Sequence, residues 1–323
     1  MTGAAERPTQ FIITVDTETY AINNAPPAFQ TNIYADLPDG SFGVQRIMDI
    51  CNRHNVKATF FVDVYMHHHY GRNPVRDLCR KIDDGGHDVQ LHTHTSWLPD
   101  SVSGRLCDFS LERQIEIVAE GKNLIRDWTG KAPVAFRAGA YSANLDTITA
   151  LEQNQFTVDS SYFAFHANCG LSQQLKNESI NKPFYIGNIL EVPITCYWLA
   201  RGIGYQKLSK LDINACSSAE MSDIVPKLVR AKMEYVILFL HSFSFIRWKR
   251  NFTGVVPNHR AMERFEVLLQ SISKAGYGTR FSTMAEVAAG TIKEQPDRTD
   301  FVPSLRTSNI LPRAFLRLVE SNR

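Results

Sequence analysis

Two carboxylates stand two residues apart directly after an apolar run near the start of the chain. The run is 11–15, and Asp16 and Glu18 follow it. Side chains at positions i and i+2 of an extended segment point to the same side. One carboxylate could therefore bind a metal ion while the other acts as a base. Taken alone, the pair could equally be two solvated acids at the end of a strand.

Two histidines repeat this spacing farther along the chain. His92 and His94 follow a short extended stretch that ends at Leu91, and their imidazoles share one face. Two imidazoles placed in this way can bind one zinc ion. Trp97 follows them and could form a wall of the site. The three histidines at 67–69 lie in a predicted loop or helix start, and we do not assign them to this site.

An arginine and a further histidine also follow apolar runs. Arg137 comes after the run 134–136, and its guanidinium could approach a carboxylate and hold it ionised. His241 comes after the run 235–240 and could donate a proton to a leaving group. Each residue alone has an ordinary structural interpretation. Because all four groups occur in order, each after a predicted strand, their combination favours an active site.

The elements that would position these residues alternate regularly. Strands are predicted at 11–15, 57–64, 88–91, 134–136, 156–158, 189–194, 235–240 and 277–281. Helices are predicted at 44–51, 75–82, 111–128 with Ser110 as its cap, 145–153, 221–233 and 262–272. Alternation of this kind predicts parallel strands with right-handed crossovers, in a barrel or a doubly wound sheet. In a parallel barrel, active sites gather at the carboxyl ends of the strands, where the candidate residues fall.

Composition and charge narrow the class of partner. The 323 residues are 44% hydrophobic and 21% charged, with a formal net charge of +2. This balance is typical of a globular protein and gives no electrostatic reason to expect nucleic acid or an anionic membrane as the main partner. We see no signal peptide and no apolar run long enough to span a bilayer, so we expect a cytoplasmic protein. The six scattered cysteines are expected to be reduced thiols.

The order of acid pair, histidine pair, arginine and histidine resembles that of the polysaccharide deacetylases of the NodB-homology superfamily, which includes carbohydrate esterase family 4. The resemblance extends over about residues 11–288 and includes the segments 58–61 and 86–89. It implies an α/β fold, a distorted parallel barrel of seven or eight β/α units within residues 1–290. Residues 291–323 would form a C-terminal extension on or beside the barrel, with 310–319 as an amphipathic stretch.

The resemblance also implies a role for each candidate residue. Asp16 matches the catalytic base, and Glu18 and His92 match metal ligands. Arg137 matches the arginine that pairs with the base. His241 matches the general acid.

Two motifs depart from the family pattern. The second metal histidine of the family would fall at Ser96, and we therefore expect His94 to replace it. The fourth motif keeps only Asp159, which becomes the candidate for orienting His241. Aromatic residues near the predicted strand ends could stack on a sugar ring: Trp97, Tyr141, Tyr162 and Trp198.

These matches imply a metal-dependent hydrolase that removes N-acetyl groups from an N-acetylated sugar or glycan precursor. The expected cofactor is a divalent cation, zinc by preference, bound by Glu18, His92 and His94. A backbone N–H near Tyr141 would stabilise the oxyanion. We expect the substrate to be a cytoplasmic precursor of surface polysaccharide.

Three alternatives stay open at this point. The same fold could hydrolyse O-acetyl esters or other C–N bonds. The two altered motifs are also compatible with a degenerate, non-catalytic carbohydrate-binding module. A phosphatase or nuclease is disfavoured because the chain has neither a phosphate-binding glycine loop nor a basic cleft. The sequence does not indicate an oligomeric state.

Overall fold

The computed structural model describes residues 8–19, 28–176, 179–202, 205–249, 254–274, 278–290 and 300–306. Its strands are β1 (Thr9–Thr17), β2 (Asp36–Leu37), β3 (Gly40–Ser41), β4 (Thr59–Asp63), β5 (Asp88–Thr93), β6 (Ala135–Ala138), β7 (Val158–Asp159), β8 (Phe184–Ile186), β9 (Ile189–Glu191), β10 (Cys196–Gly202), β11 (Tyr205–Lys210), β12 (Tyr235–His241), β13 (Ile246–Trp248), β14 (Val255–Pro257) and β15 (Thr279–Phe281). Its helices are α1 (Val44–Arg53), α2 (His67–Tyr70), α3 (Arg72–Asp84), α4 (Leu111–Thr129), α5 (Leu145–Gln153), α6 (Gly170–Gln174), α7 (Ser218–Arg230), α8 (His259–Lys274) and α9 (Met284–Gly290).

The main sheet is parallel through its centre. Its strand order is β12-β1-β4-β5-β6-β7-β9-β8, with β15 also paired to β1 and β8 antiparallel to β9. An irregular segment bridges the gap between the two ends of the sheet: Leu211 donates to the Thr195 carbonyl, and Phe239 donates to the Leu211 carbonyl. The sheet thus curls into a distorted parallel β/α barrel, which confirms the predicted fold class.

The alternation of side chains along β1 divides the core in two. Phe11, Ile13 and Val15 pack outward with the surrounding helices, whereas Ile12 packs inward with a second apolar cluster. Both faces are buried because helices cover the outside of the barrel and side chains fill its inside. All nine residues of β1 are buried, and its centre, residues 11–15, is apolar except for Thr14.

Helix boundaries follow from local capping. The Ser110 hydroxyl accepts a hydrogen bond from the Arg113 N–H, 3.3 Å away, as predicted for the start of α4. The helix ends at Thr129 and is followed by Gly130, whose φ of 76° is in the left-handed region that glycine adopts most easily. Asn144 caps α5 through a reciprocal arrangement with Thr147, and the observed bounds of α5 equal the predicted ones.

The hairpins β10–β11 and β13–β14 were not predicted. They are antiparallel pairs inserted into the β/α alternation, so the alternating pattern carries no signal for them. The strand predicted at 189–194 ends at Glu191, and the last strand occupies Thr279–Phe281.

Residues 300–306 pack against the barrel. The Asp300 carboxylate accepts hydrogen bonds from the backbone N–H groups of Ile180, Asn181 and Lys182. The predicted boundary at 290 and the amphipathic stretch at 310–319 adjoin or lie outside the described residues, so the domain division stays a prediction. In the described part of the chain, no helix has the length and apolarity that a membrane span requires.

Candidate metal and catalytic site

The candidate residues meet at the carboxyl ends of neighbouring strands. Asp16 on β1 pairs with His241 on β12, and His92 on β5 pairs with both Asp63 on β4 and Arg137 on β6. Each of them continues the inward face of its strand. The residues two positions earlier are all buried: Thr14, Phe61, Gln90, Ala135 and Phe239. The period of two therefore directs every one of these polar side chains into the mouth of the barrel.

Glu18, His92 and His94 form a compact group of ligand atoms that lie within 4.8 Å of one another. His92 Nε2 lies 3.2 Å from Glu18 Oε2, and His94 Nε2 pairs with the same oxygen. His92 Nδ1 lies 2.8 Å from the Arg137 carbonyl oxygen. Because a carbonyl only accepts, Nδ1 donates to it, and Nε2 is the ring atom directed at Glu18. Two imidazoles and one carboxylate so arranged fit a zinc-type divalent cation.

Glu18 and His94 are electrostatically coupled. Burial favours a raised pKa for Glu18, but the charge of His94 and hydrogen bonds from both histidines hold it well below its usual value. Burial opposes protonation of His94, yet Glu18 raises the pKa of His94 to about 9. Without a cation, the two therefore form an ion pair. A divalent cation would take the place of the proton on His94.

Arg137 connects Asp16 to the barrel interior. The guanidinium is fully buried, and its Nη1 donates to Asp16 Oδ1 at 2.7 Å. Its Nε and Nη2 donate to the carbonyl and hydroxyl oxygens of Ser160, each at 3.0 Å. The guanidinium carbon lies 4.3 Å and 5.0 Å from the ring centroids of Phe61 and Phe239. These contacts hold the guanidinium in one position, and its hydrogen bond in turn holds the Oδ1 atom of Asp16.

His241 faces the same centre from β12. Its Nε2 lies 3.7 Å from Glu18 Oε1, and its ring stacks on Phe243 with 4.9 Å between centroids. Burial lowers the pKa of His241, and the charge of Lys210 lowers it further, while nearby carboxylates that include Asp212 act in the opposite direction. The protonated ring of His241 is therefore a stronger acid than that of an exposed histidine.

Lys210 and Asp212 belong to this site but were not predicted. Lys210 Nζ donates to the Tyr141 hydroxyl at 2.9 Å and lies 3.1 Å from Asp212 Oδ2. It also lies 3.7 Å from the ring centroid of Phe239. Asp212 and His241 line one cavity of about 400 Å³. The signal that could have found the pair is the spacing of two residues, the same as that of Glu18 from Asp16.

Asp159 on β7 belongs to a separate pair of buried carboxyl groups. It is fully buried opposite Glu191, its register partner across β7 and β9, and Ser161 Oγ donates to Asp159 Oδ1 at 2.6 Å. Burial raises the pKa of both carboxyl groups, that of Glu191 well above its usual value, so the pair retains a proton. The expectation that Asp159 orients His241 is corrected accordingly, since its partners are Ser161 and Glu191.

Asp63 is a second buried acid that the sequence did not single out. Its Oδ2 accepts from the Trp97 indole N–H at 2.8 Å, and its Oδ1 accepts from the backbone N–H groups of Tyr65 and His94. Burial raises the pKa of Asp63 to about 6, against the opposing effects of His94 and His92. Asp63 therefore ties the segment that carries His94 to the end of β4.

The predicted aromatic contacts divide into two pairs. Trp97 and Tyr141 lie beside the site, where Trp97 hydrogen-bonds to Asp63 and Tyr141 to Lys210.

The other two predicted aromatic contacts lie farther from the ligand group. Tyr162 is fully buried, with its ring 5.3 Å from that of Phe184, so its predicted role as a sugar contact is corrected to core packing. Trp198 lies on β10, and its backbone hydrogen-bonds to the C-terminal segment 303–305. Trp248 was not predicted and lines the cavity beside His241.

The turn after β6 has an unusual backbone. Ala140 and Tyr141 have φ values of 50° and 61°, in the left-handed region that residues other than glycine rarely adopt. Two such residues in succession store strain, which in proteins is concentrated at functional sites. This turn is the segment from which an oxyanion-binding N–H is predicted.

Comparison with known proteins agrees with this architecture. Residues 33–158 match the family model for polysaccharide deacetylase. A polysaccharide deacetylase structure from Mycobacterium smegmatis is 19% identical, with a TM-score of 0.52, and the alignment covers 82% of each chain. No curated protein matches the chain.

Two further solved structures are more distant. A carbohydrate esterase family 4 pseudoenzyme from Bacillus anthracis is 13% identical, with a TM-score of 0.45, over 93% of this chain and 71% of its own. A family 4 carbohydrate esterase from Streptomyces lividans is 13% identical, with a TM-score of 0.42, over 91% and 98%. The match over 33–158 confirms the resemblance that the motifs indicate: this part of the chain is similar to the polysaccharide deacetylases.

Proposed function

We propose that this protein is a metal-dependent hydrolase that removes N-acetyl groups from an N-acetylated sugar or glycan precursor. The observation that carries the proposal is the convergence of Glu18, His92 and His94, with the Asp16–Arg137 pair and His241 around them. The residues that would serve as ligands, base and acid thus lie at one mouth of the barrel. Such a set serves hydrolysis better than sugar binding alone, which requires no buried acid–base groups.

Glu18, His92 and His94 would hold the cation, and zinc is the ion that this donor set favours. With three protein ligands, the site would leave room for water or substrate on the ion. A divalent cation bound there polarises an acyl carbonyl and lowers the pKa of water. The Nδ1 bond from His92 to the Arg137 carbonyl keeps this imidazole in one tautomer and one orientation.

Asp16 would act as the base. Arg137 occupies its Oδ1, so Oδ2 is the atom available to accept a proton from water. This oxygen lies 3.9 Å from His92 Nε2 and therefore faces the ligand group. The fixed guanidinium prevents Asp16 from rotating away, which favours proton transfer in a defined geometry.

His241 would act as the acid. An amide nitrogen leaves poorly unless it receives a proton, and an imidazolium with a lowered pKa gives up its proton more easily. Its position near Glu18 Oε1 brings it to the ligand group from a different strand than Asp16. The backbone of the strained turn at Ala140 and Tyr141 would contribute the oxyanion-binding N–H.

The sugar would lie across the cavity beside His241. Trp248, Phe243 and Asn214 line this cavity, and aromatic side chains beside an amide are a combination suited to a sugar ring. Trp97 and Tyr141 flank the other sides of the site. A cytoplasmic precursor of surface polysaccharide stays our prediction for the natural substrate.

The test is acetate release from purified protein loaded with zinc. The panel includes free, nucleotide-linked and lipid-linked N-acetyl sugars, with matched O-acetyl sugars. Release from N-acetyl substrates that is lost in both Asp16→Asn and His94→Ala supports the proposal, and release from O-acetyl sugars alone would assign an esterase instead. A protein that binds zinc and sugar but releases no acetate from any substrate would be the non-catalytic module. Asp127→Asn, a substitution of an exposed helix residue, is the matched control.

A further inference from the structure

We infer that the protein has a second divalent-metal site, formed by His67, His68 and Glu120 on the outside of the barrel. One ligand atom of each of these residues lies within 4.8 Å of the others. His68 Nε2 is 3.9 Å from Glu120 Oε1, and the rings of His67 and His68 lie 4.1 Å apart. The inference does not depend on the proposed deacetylase activity.

The orientation of His67 supports a ligand role. Its Nδ1 lies 2.8 Å from the Val64 carbonyl oxygen, to which it must donate because a carbonyl only accepts. The Nε2 atom of His67 therefore carries the lone pair. His92 in the first site is fixed in the same way, by the carbonyl of Arg137. A backbone carbonyl that sets the tautomer is the usual partner of a metal-binding imidazole.

The scaffold holds the two sides of this site at a fixed distance. Tyr65, two residues before His67, is fully buried, and its hydroxyl donates to the Ile117 carbonyl on α4. A Cβ atom on Gly121, the residue after Glu120, would lie 2.8 Å from the Tyr65 hydroxyl. The absence of a side chain at Gly121 thus allows α4 to approach the turn after β4. Ligands on elements packed so closely need little reorganisation to bind.

The donor set identifies the class of ion. Two imidazoles and one carboxylate suit zinc and other borderline divalent transition metals, whereas magnesium and calcium prefer sites made of oxygen ligands. The side chains of His68 and Glu120 are 30% and 39% exposed, so an ion can enter from solvent and retain water as a further ligand. A bound ion would connect the single-turn helix α2 to the long helix α4.

This second site is linked structurally to the first. The ring of His69, which follows His68, lies 5.6 Å from that of Trp97. Trp97 donates to Asp63, which in turn accepts from the backbone of His94. An ion that fixes α2 therefore stabilises the wall beside the first site. We expect it to raise the midpoint of thermal unfolding without supplying a reacting group.

The experiment is a zinc titration of untagged, metal-free full-length protein by calorimetry, with elemental analysis of the product. We expect wild type to bind two equivalents of zinc. His68→Ala and Glu120→Gln should each bind one equivalent, because their affinity for zinc at the second site falls at least tenfold. His69→Ala, which removes a neighbouring imidazole outside the group, is the matched control and should retain two. Glu18→Ala should lose only the first equivalent.

The outcomes separate the two sites. If Glu18→Ala binds no zinc, or if His68→Ala and Glu120→Gln bind as much as wild type, the second site is overturned. If one equivalent remains in Glu18→Ala and is lost in Glu18→Ala/His68→Ala, the second site stands whatever the acetate-release assay shows. The surface variants His68→Ala and Glu120→Gln are informative alone if Glu18→Ala fails to fold.

Discussion

The imidazole of His94 packs directly against the backbone of Gly139. A Cβ atom on Gly139 would lie 2.7 Å from both Cγ and Nδ1 of His94, and 2.6 Å from the Thr93 carbonyl oxygen. The turn after β6 thus determines the position of the His94 imidazole. Glycine is needed here for close approach, because the neighbouring atoms include backbone that cannot move without shifting β5.

Gly139→Ala should therefore weaken zinc binding at the first site by at least tenfold, because His94 must move or rotate. Overpacking of this kind typically costs about 1–3 kcal/mol, so the variant should still fold. The measurement is zinc affinity by competition with a chelating dye, together with the free energy of unfolding. Gly290→Ala, where a Cβ would meet open space, is the control. Unchanged affinity in Gly139→Ala would remove His94 from the ligand set.

Asp16→Asn should reduce the rate of acetate release by at least a factor of about 100, the lower end of what a positioned base contributes. The amide retains the shape of the carboxylate but cannot take the proton of water. The variant should still bind zinc, because the ligand atoms are those of Glu18, His92 and His94. A rate close to wild type with full zinc content would assign the base elsewhere, with Asp63 as the next residue to test.

The alternation of side chains explains which parts of this site could be predicted from sequence. Spacing of two on a strand placed Asp16 with Glu18, and His92 with His94, on one inward face, and the structure brings them together. Alternation gives no such signal for Tyr162, which follows β7 outside any strand, so its burial in the core could not be distinguished from a position at the barrel mouth.

The remaining residues depend on contacts that are distant in sequence. Lys210 enters the site on an antiparallel hairpin outside the β/α pattern, and Asp212 follows it. Asp159 faces Glu191 because of a register between β7 and β9 that no local pattern specifies. The alternation of parallel strands and helices and the strand ends follow from periodicity, and the choice of a barrel follows from the family resemblance. Lys210 and Asp212, by contrast, reach His241 through the way in which an inserted hairpin folds back.

Lys210→Met should destabilise the protein, because it leaves Asp212 buried without its cation. Breaking a buried ion pair by removing one partner typically costs about 3–5 kcal/mol. We expect a smaller loss of stability here, because the Lys210 side chain is 20% exposed and solvent screens its charge. The double variant Lys210→Met/Asp212→Asn should recover part of the loss, since no unpaired charge remains. Chemical unfolding of wild type, both single variants and the double variant measures this coupling, and Lys207→Met is the surface control. Strictly additive losses would show that the pair contributes nothing beyond packing.

Stability should depend on pH through the Asp159–Glu191 pair. Burial and the neighbouring Asp159 raise the pKa of Glu191 well above its usual 4.5 in the folded protein, so the folded state binds more protons than the unfolded chain. Stability associated with this group is complete below pH 4.5 and is lost as pH rises toward the folded pKa. Glu191→Gln keeps a donor opposite Asp159 but cannot ionise, so its free energy of unfolding should decline less as the pH rises above 4.5. Urea unfolding at several pH values makes the comparison, with the exposed Glu116→Gln as control. A decline in Glu191→Gln as steep as that of wild type would show that the shared proton lies on another group.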